Sequence, residues 1–267
     1  MNKYTLQYAS NFFLNLHKRR DYQNMLIPVS DNLALLGNIN SVETENDRKD
    51  YNNFLSYISS NWKNIFLIPG PYEYTSKKPT PFYDLYTELT GIKHKYENIK
   101  ILNNSNWHLP NTNITLVGST LWTAYPYYRM PCCYEFSYIY KHSKEGLLRQ
   151  MLGDDLKEWY YEDITHIKES IKTNDNIIIL SHHLPTPYLT SSNIKKRMEA
   201  SNLENMFKKS IPIWLGGAGN KTVSGSFGIT TDTFCGVNTY TTFDRPHVIN
   251  SGYDPKVYVS LRTNTIY

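Results

Sequence analysis

The chain has little cysteine and no long apolar run. Its 267 residues include three cysteines, Cys132, Cys133 and Cys235, and this odd, small number argues against a disulfide framework and favours a reducing compartment. The adjacent pair Cys132 and Cys133 does not have the spacing of a zinc site. We find no segment apolar enough for a signal peptide or a transmembrane helix. We therefore expect a cytoplasmic protein with no membrane insertion.

The chain also has no concentrated charge of one sign. It carries 28 Lys and Arg against 24 Asp and Glu, a formal net charge of +4. The densest basic spots, at 17–20 and 208–209, fit solvated loops better than a nucleic-acid-binding face, so nucleic acid is not expected as a partner. Tyrosine, in contrast, is abundant, with 23 residues. Tyrosine suits protein interfaces, although the codon bias of an AT-rich genome also explains its excess.

Short apolar runs alternate with helical patterns along the chain. The predicted strands are Tyr4–Ala9, Leu33–Leu36, Ile65–Ile68, Ile99–Leu102, Ile114–Val117, Ile177–Leu180 and Ile213–Leu215, and the predicted helices are Asp47–Ser60, Phe82–Ile92, Asp154–Thr173 and Leu203–Lys209. The last fifty residues are typical of β-hairpins. This order predicts an α/β protein with two packed sheets, as a single domain over 1–267 with an insertion or lid around 124–149.

Five short segments follow predicted strands in a recognisable order. They are Ser10-Asn11-Phe12-Phe13-Leu14, Leu36-Gly37-Asn38, Pro69-Gly70-Pro71-Tyr72-Glu73, Ser181-His182-His183-Leu184-Pro185 and Trp214-Leu215-Gly216-Gly217-Ala218-Gly219-Asn220. Together they resemble the calcineurin-like metallophosphoesterase family. Two later segments, Val117–Trp122 and Asn250–Tyr253, extend the resemblance to roughly residues 4 to 262. The resemblance implies a four-layer α/β/β/α sandwich, with two packed mixed β-sheets flanked by helices.

The same resemblance implies a two-metal site whose ligands have been replaced. Two cations held roughly 3.5–4 Å apart would clamp a phosphate and generate a hydroxide nucleophile. Of the seven ligand positions that the family's motifs imply, His182 alone keeps a ligand residue, and Tyr72 replaces the histidine that would assist the leaving group. The vestigial pocket therefore comprises Asn11, Phe13, Asn38, Pro71, Tyr72, His182, Ala218 and Asn220. We expect no catalytic residue, no metal and no cofactor in it.

Neighbouring polar residues have simpler interpretations than catalysis. Ser181 next to His182 and His183 could suggest nucleophilic chemistry, but neighbouring residues at a strand end point in different directions and form no triad by themselves. The two histidines are instead expected to be a buried, hydrogen-bonded pair left over from an ancestral site. Glu73 is expected to be a surface or hydrogen-bonding carboxylate. Asp154 and Asp155 fit the start of a helix, where negative charge is favourable.

The ligand residues are lost, although the strand and turn motifs of the family remain recognisable. This pattern predicts a catalytically inactive metallophosphoesterase-like protein, reused as a structural or protein-binding component. The AT-rich residue usage and the reducing compartment suggest a protein associated with the virion or capsid of a large DNA virus. Two alternatives remain open. The pocket could act as a phosphate- or nucleotide-binding sensor, or the protein could be a phosphoesterase with altered, metal-independent chemistry.

Overall fold

The fold is that of a computed structural model of the chain. The described residues are 2–17, 20–123, 137–190, 200–208, 210–219, 221–227, 233–242, 245–250 and 252–263. Within these ranges, no helix has both the length and the apolar character needed to cross a membrane.

Two large sheets contain most of the strands. The first sheet has the order β15-β1-β2-β3-β4 and consists of β1 (Asn2–Ala9), β2 (Asn32–Leu36), β3 (Asn64–Ile68), β4 (Ile99–Ile101) and β15 (Tyr258–Thr263). The second has the order β11-β12-β10-β9-β6-β5 and consists of β5 (Ser105–His108), β6 (Thr115–Ser119), β9 (Ile177–Ser181), β10 (Ile213–Gly216), β11 (Val223–Phe227) and β12 (Thr233–Val237). Both sheets are mixed, because their central strands are parallel, whereas β15 pairs antiparallel with β1 in the first sheet, and β5 and β11 pair antiparallel with β6 and β12 in the second.

Two small antiparallel pairs lie outside these sheets. One pairs β7 (Tyr140–His142) with β8 (Leu148–Gln150), and the other pairs β13 (Thr241–Thr242) with β14 (Arg245–Ile249). The first pair occupies the described part of the predicted insertion, of which 124–136 lies outside the described residues. Asp155 anchors this pair, since its carboxylate accepts two hydrogen bonds from Arg149 and contacts Lys141 Nζ at 3.1 Å.

Four α-helices are present in the described part of the chain. They are α1 (Tyr22–Met25), α2 (Glu45–Asn61), α3 (Phe82–Lys93) and α4 (Gly153–Thr173). A capping box between Thr44 and Asp47 starts α2, and Asp155 accepts from the Leu152 N–H at the start of α4. The predicted helix Leu203–Lys209 is wrong, because its described residues contain a single 3-10 turn, Glu204–Met206. A segment this short cannot offset the cost of helix nucleation by itself.

The sheets pack face to face between two helical layers. In β2, Ala34 and Leu36 face the second sheet, while Leu33 and Leu35 pack with α2 and α3. In β9, residues 178 and 180 join the core between the sheets, and residues 177 and 179 pack with α4. Because both faces of these central strands are covered, the strands are fully apolar rather than alternating. The expected architecture of two packed mixed sheets flanked by helices is confirmed.

Candidate functional site

The vestigial pocket lies where the central parallel strands of both sheets end. Chain segments leaving the carboxyl ends of parallel strands meet at one edge of a sheet, which is the usual place for a site in α/β proteins. The structure brings together Asn11 and Phe13 after β1, Asn38 after β2, Pro71 and Tyr72 after β3, His182 after β9 and Ala218 after β10. The eighth predicted residue, Asn220, lies outside the described residues.

Asn11 and Asn38 form a closed amide pair at the centre of the pocket. Asn38 Nδ2 donates to Asn11 Oδ1 over 3.0 Å, and the Tyr72 N–H donates to Asn38 Oδ1 over 2.9 Å. Asn11 Nδ2 donates to Gly217 O and to Thr239 Oγ1. Both side chains are 1% exposed. Each amide oxygen and nitrogen therefore has a protein partner, as buried polar groups require.

Left-handed backbone conformations set the directions of these loops. Asn11 has φ 56°, Asn38 has φ 55° and Gly37 has φ 82°. Asparagine and glycine tolerate this region of φ, so Asn11, Gly37 and Asn38 can form the turns after β1 and β2. Phe13 adopts φ 44°, which is uncommon for a bulky residue. The tight turns at the ends of β1 and β2 bring the two amides within hydrogen-bonding distance.

Glu73 connects the loops that follow β2 and β3. Its Oε2 accepts from Asn38 N and from Gly70 N, both at 2.9 Å, and its Oε1 accepts from Ile39 N at 2.7 Å. Burial raises the pKa of Glu73 to about 7, and the bonds from backbone N–H groups oppose that rise. The expected hydrogen-bonding role is confirmed, whereas a surface position is wrong, because the side chain is fully buried. Glu73 lies three residues after Gly70, the spacing at which a carboxylate reaches back to the N–H of the residue before a helical turn.

His182 and His183 are buried and hydrogen-bonded, as expected. His182 Nδ1 donates to Leu36 O over 2.7 Å, and His183 Nδ1 donates to Thr120 O over 3.2 Å. Burial holds the pKa of His182 well below its ordinary value, and the adjacent His183 lowers it further. Burial also lowers the pKa of His183 to about 4. Both rings are therefore neutral at pH 7, with the Nδ1 proton used by the backbone.

The loops of the pocket pack in direct contact. A Cβ atom added to Gly37 would lie 2.4 Å from His182 Nδ1, and one added to Gly217 would lie 1.8 Å from Leu36 O. The rings of Phe13 and Tyr72 meet edge to face, with centroids 4.8 Å apart. The loops thus leave no room for a larger side chain at Gly37 or Gly217.

The donor set does not fit a two-metal centre. Within the described residues there is no group of three or more His, Cys, Asp or Glu side chains that could hold a metal ion. Hard divalent cations favour convergent carboxylate oxygens, and two-metal sites add imidazoles. In this pocket the oxygens of Asn11 and Asn38 already accept hydrogen bonds, and Phe13 and Ala218 have no side-chain donor atom.

Comparisons with known proteins support the fold alone. No family model matches the chain, and no curated protein matches it. A phosphopantetheinyl hydrolase from Mycobacterium tuberculosis aligns with TM-score 0.63 and 12% identity, over 90% of each chain. A second solved structure aligns with TM-score 0.56 and 14% identity, over 91% of this chain and 93% of that one. The chain therefore has a phosphoesterase-like fold.

Proposed function

We propose that this protein is a pseudoenzyme, a phosphoesterase-like fold reused as a structural or protein-binding component. The hydrogen bond between Asn38 Nδ2 and Asn11 Oδ1 carries the proposal. These two residues stand where the family resemblance places metal-binding carboxylates. A donor facing an acceptor satisfies this pair without a cation, whereas two carboxylates in the same place would repel each other.

The remaining positions support the same conclusion. Two-metal catalysis needs cations to activate a nucleophile and to stabilise both oxygens of the displacement. The replacements at Phe13 and Ala218 remove donor atoms, and Pro71 has no side-chain ligand. Losing several ligands at once abolishes a metal site rather than adjusting its affinity.

The two alternative functions have less support in this pocket. A phosphate- or nucleotide-binding sensor needs a concave polar space at the strand ends, where the amide pair is 1% exposed and fully hydrogen-bonded. Metal-independent phosphoester chemistry needs an accessible acid or base. His182 and His183 are 2% and 5% exposed, and their Nδ1 atoms donate to backbone carbonyls.

A role in protein binding is supported by exposed aromatic side chains on helices. Tyr83 of α3 and Tyr161 of α4 are 62% and 56% exposed, and tyrosine is enriched at protein interfaces. The AT-rich residue usage supports the narrower proposal of a component of a viral particle. Quantitative mass spectrometry of purified particles tests it, with stoichiometric incorporation as the expected result and removal by washing as the contrary one.

The absence of two-metal chemistry is tested by metal content and turnover. The purified protein is loaded with excess Mn²⁺, desalted and analysed by elemental mass spectrometry, with an active two-metal phosphoesterase treated in parallel. We expect essentially no bound metal and no hydrolysis of bis(p-nitrophenyl) phosphate above the rate without protein. About two ions per chain, together with turnover that EDTA removes, would overturn the proposal.

A further inference from the structure

A groove of about 580 Å³ opens beside the vestigial pocket and shares Phe13, Pro71 and Tyr72 with it. Small-molecule sites commonly have volumes of about 300–1,000 Å³ and are lined mainly by apolar and aromatic side chains, with a few polar groups. This groove has a volume in that range, and Phe13, Leu16, Pro71 and Tyr72 give it apolar and aromatic surface within a lining that is otherwise polar or charged.

One wall of the groove is held by a continuous series of hydrogen bonds. The Tyr72 hydroxyl donates to Asn15 Oδ1 over 3.0 Å, and Asn15 Nδ2 donates to Asp47 Oδ1 over 2.9 Å. Asp47 Oδ2 accepts from Thr44 Oγ1 over 2.7 Å at the start of α2. Side chains fixed in this way keep one geometry and lose little freedom when a ligand binds.

One polar group of the groove has unused hydrogen-bonding capacity. Glu43 Oε1 accepts from the backbone N–H groups of Lys77 and Lys78 at 2.8 and 3.0 Å. These bonds fix the carboxylate and leave its Oε2 available for a donor group of a ligand.

The charges around the groove cancel. The lining contains two acidic residues, Glu43 and Asp47, and two lysines, Lys77 and Lys78, so its formal charges sum to zero. A phosphate site concentrates positive charge or backbone N–H donors on its anion. A balanced lining with a free carboxylate oxygen instead favours an uncharged ligand that donates hydrogen bonds.

We propose that this groove binds an uncharged, flat aromatic ligand that carries hydroxyl donors, with nucleosides as the chemical class. The ring packs against Phe13 and Tyr72, and a ligand hydroxyl donates to Glu43 Oε2. The proposal concerns a space next to the vestigial pocket, and it does not depend on whether that pocket is catalytically inactive.

Isothermal titration of the full chain with adenosine and uridine tests the proposal. We expect saturable binding of at least one nucleoside, with a stoichiometry of about one, and no tighter binding of adenosine monophosphate or inorganic phosphate. No saturation with either nucleoside would overturn the proposal, and so would tighter binding of the monophosphate or of phosphate alone.

Matched variants locate the bound nucleoside. Glu43→Gln keeps an oxygen for the Lys77 and Lys78 N–H groups but removes the charge, so affinity should fall about tenfold or more. Glu45→Gln makes the same charge change at an exposed position outside the groove and should leave the affinity unchanged. Equal effects of the two variants would place the nucleoside elsewhere and overturn the proposal. Unfolding midpoints of both variants check the fold, and metal content is a separate readout, so a failure here is distinguishable from an active two-metal site.

Discussion

Replacing the amide pair by two carboxylates is the most direct test of the vestigial pocket. The double variant Asn11→Asp, Asn38→Asp is nearly isosteric, but it replaces the donor Nδ2 of Asn38 with an oxygen that faces another oxygen about 3 Å away. It also removes the bonds that Asn11 Nδ2 donates to Gly217 O and Thr239 Oγ1. The structure therefore predicts a large loss of stability when no cation is present.

The magnitude follows from the distance and the burial. Two unit charges 3 Å apart repel by about 5 kcal/mol at an effective dielectric constant of about 20. Sharing a proton reduces this repulsion, as in other close carboxylate pairs, but the lost amide bonds add about 1 kcal/mol each. We expect the free energy of unfolding at pH 8 to fall by about 3–5 kcal/mol. The raised pKa of the pair means that stability recovers as the pH decreases and the carboxylates take up protons.

Urea unfolding of the wild type and the double variant, in EDTA and in excess Mn²⁺, measures this effect. Mn²⁺ should stabilise the double variant, by about 2.7 kcal/mol at a hundredfold excess over its dissociation constant, and should leave the wild type unchanged. Asn40→Asp is the control, because Asn40 is equally buried but bonds the Asn15 N–H and Asp47 O instead of a second side-chain amide, and the variant should gain no stability from Mn²⁺. The reasoning is refuted if the double variant in EDTA matches the wild type, or if Mn²⁺ stabilises the wild type equally.

Three further predictions concern stability. Glu73→Ala leaves three buried N–H groups without an acceptor, so the free energy of unfolding should fall by about 3 kcal/mol or more in urea titrations. A loss below about 1 kcal/mol would contradict the role of the carboxylate as acceptor for these groups. The pKa of His183 is about 4 in the folded protein, below the 6.5 of an unperturbed histidine, so the unfolded chain takes up a proton first and stability should fall by about 3 kcal/mol as the pH falls from 6.5 to 4. His183→Asn should flatten the pH dependence of the thermal unfolding midpoint over that window, and an unchanged slope would argue against this assignment. Gly217→Ala should prevent folding, because its Cβ would collide with Leu36 O. In contrast, the Cβ of Gly91→Ala in α3 meets no atom within 4 Å, so this variant should stabilise the protein by about 0.5–1 kcal/mol. Thermal unfolding followed by circular dichroism distinguishes the two outcomes.

The fully apolar strands could be predicted from the sequence, because a strand that is buried on both faces forms a continuous apolar run. The segments 33–36, 65–68 and 177–180 coincide with buried strands for this reason. The strand β5 and the pair β7 and β8 were not predicted, since these short strands are partly exposed and have no continuous apolar run. Their pairing depends on contacts with neighbouring strands rather than on local composition.

The proximity of the strand-end residues could be predicted, but the hydrogen bonds between them could not. The motif order placed Asn11 and Asn38 at strand ends, yet the bond between them joins residues 27 positions apart. The bond depends on left-handed backbone angles at Asn11 and Asn38. An asparagine can adopt such angles, but its presence in the sequence does not show that it does. The buried position of Glu73 and the groove beside Tyr72 likewise depend on how separate loops pack against one another.

The amide pair and Glu73 together explain how a scaffold of this kind can keep its loops without a cation. Loops at the ends of parallel strands carry backbone N–H groups that need acceptors once they are buried. In this chain the carboxylate of Glu73 accepts three of them, and Asn38 Oδ1 accepts a fourth from Tyr72. The pocket is therefore stabilised by hydrogen bonds between loops, and its geometry does not require metal charge.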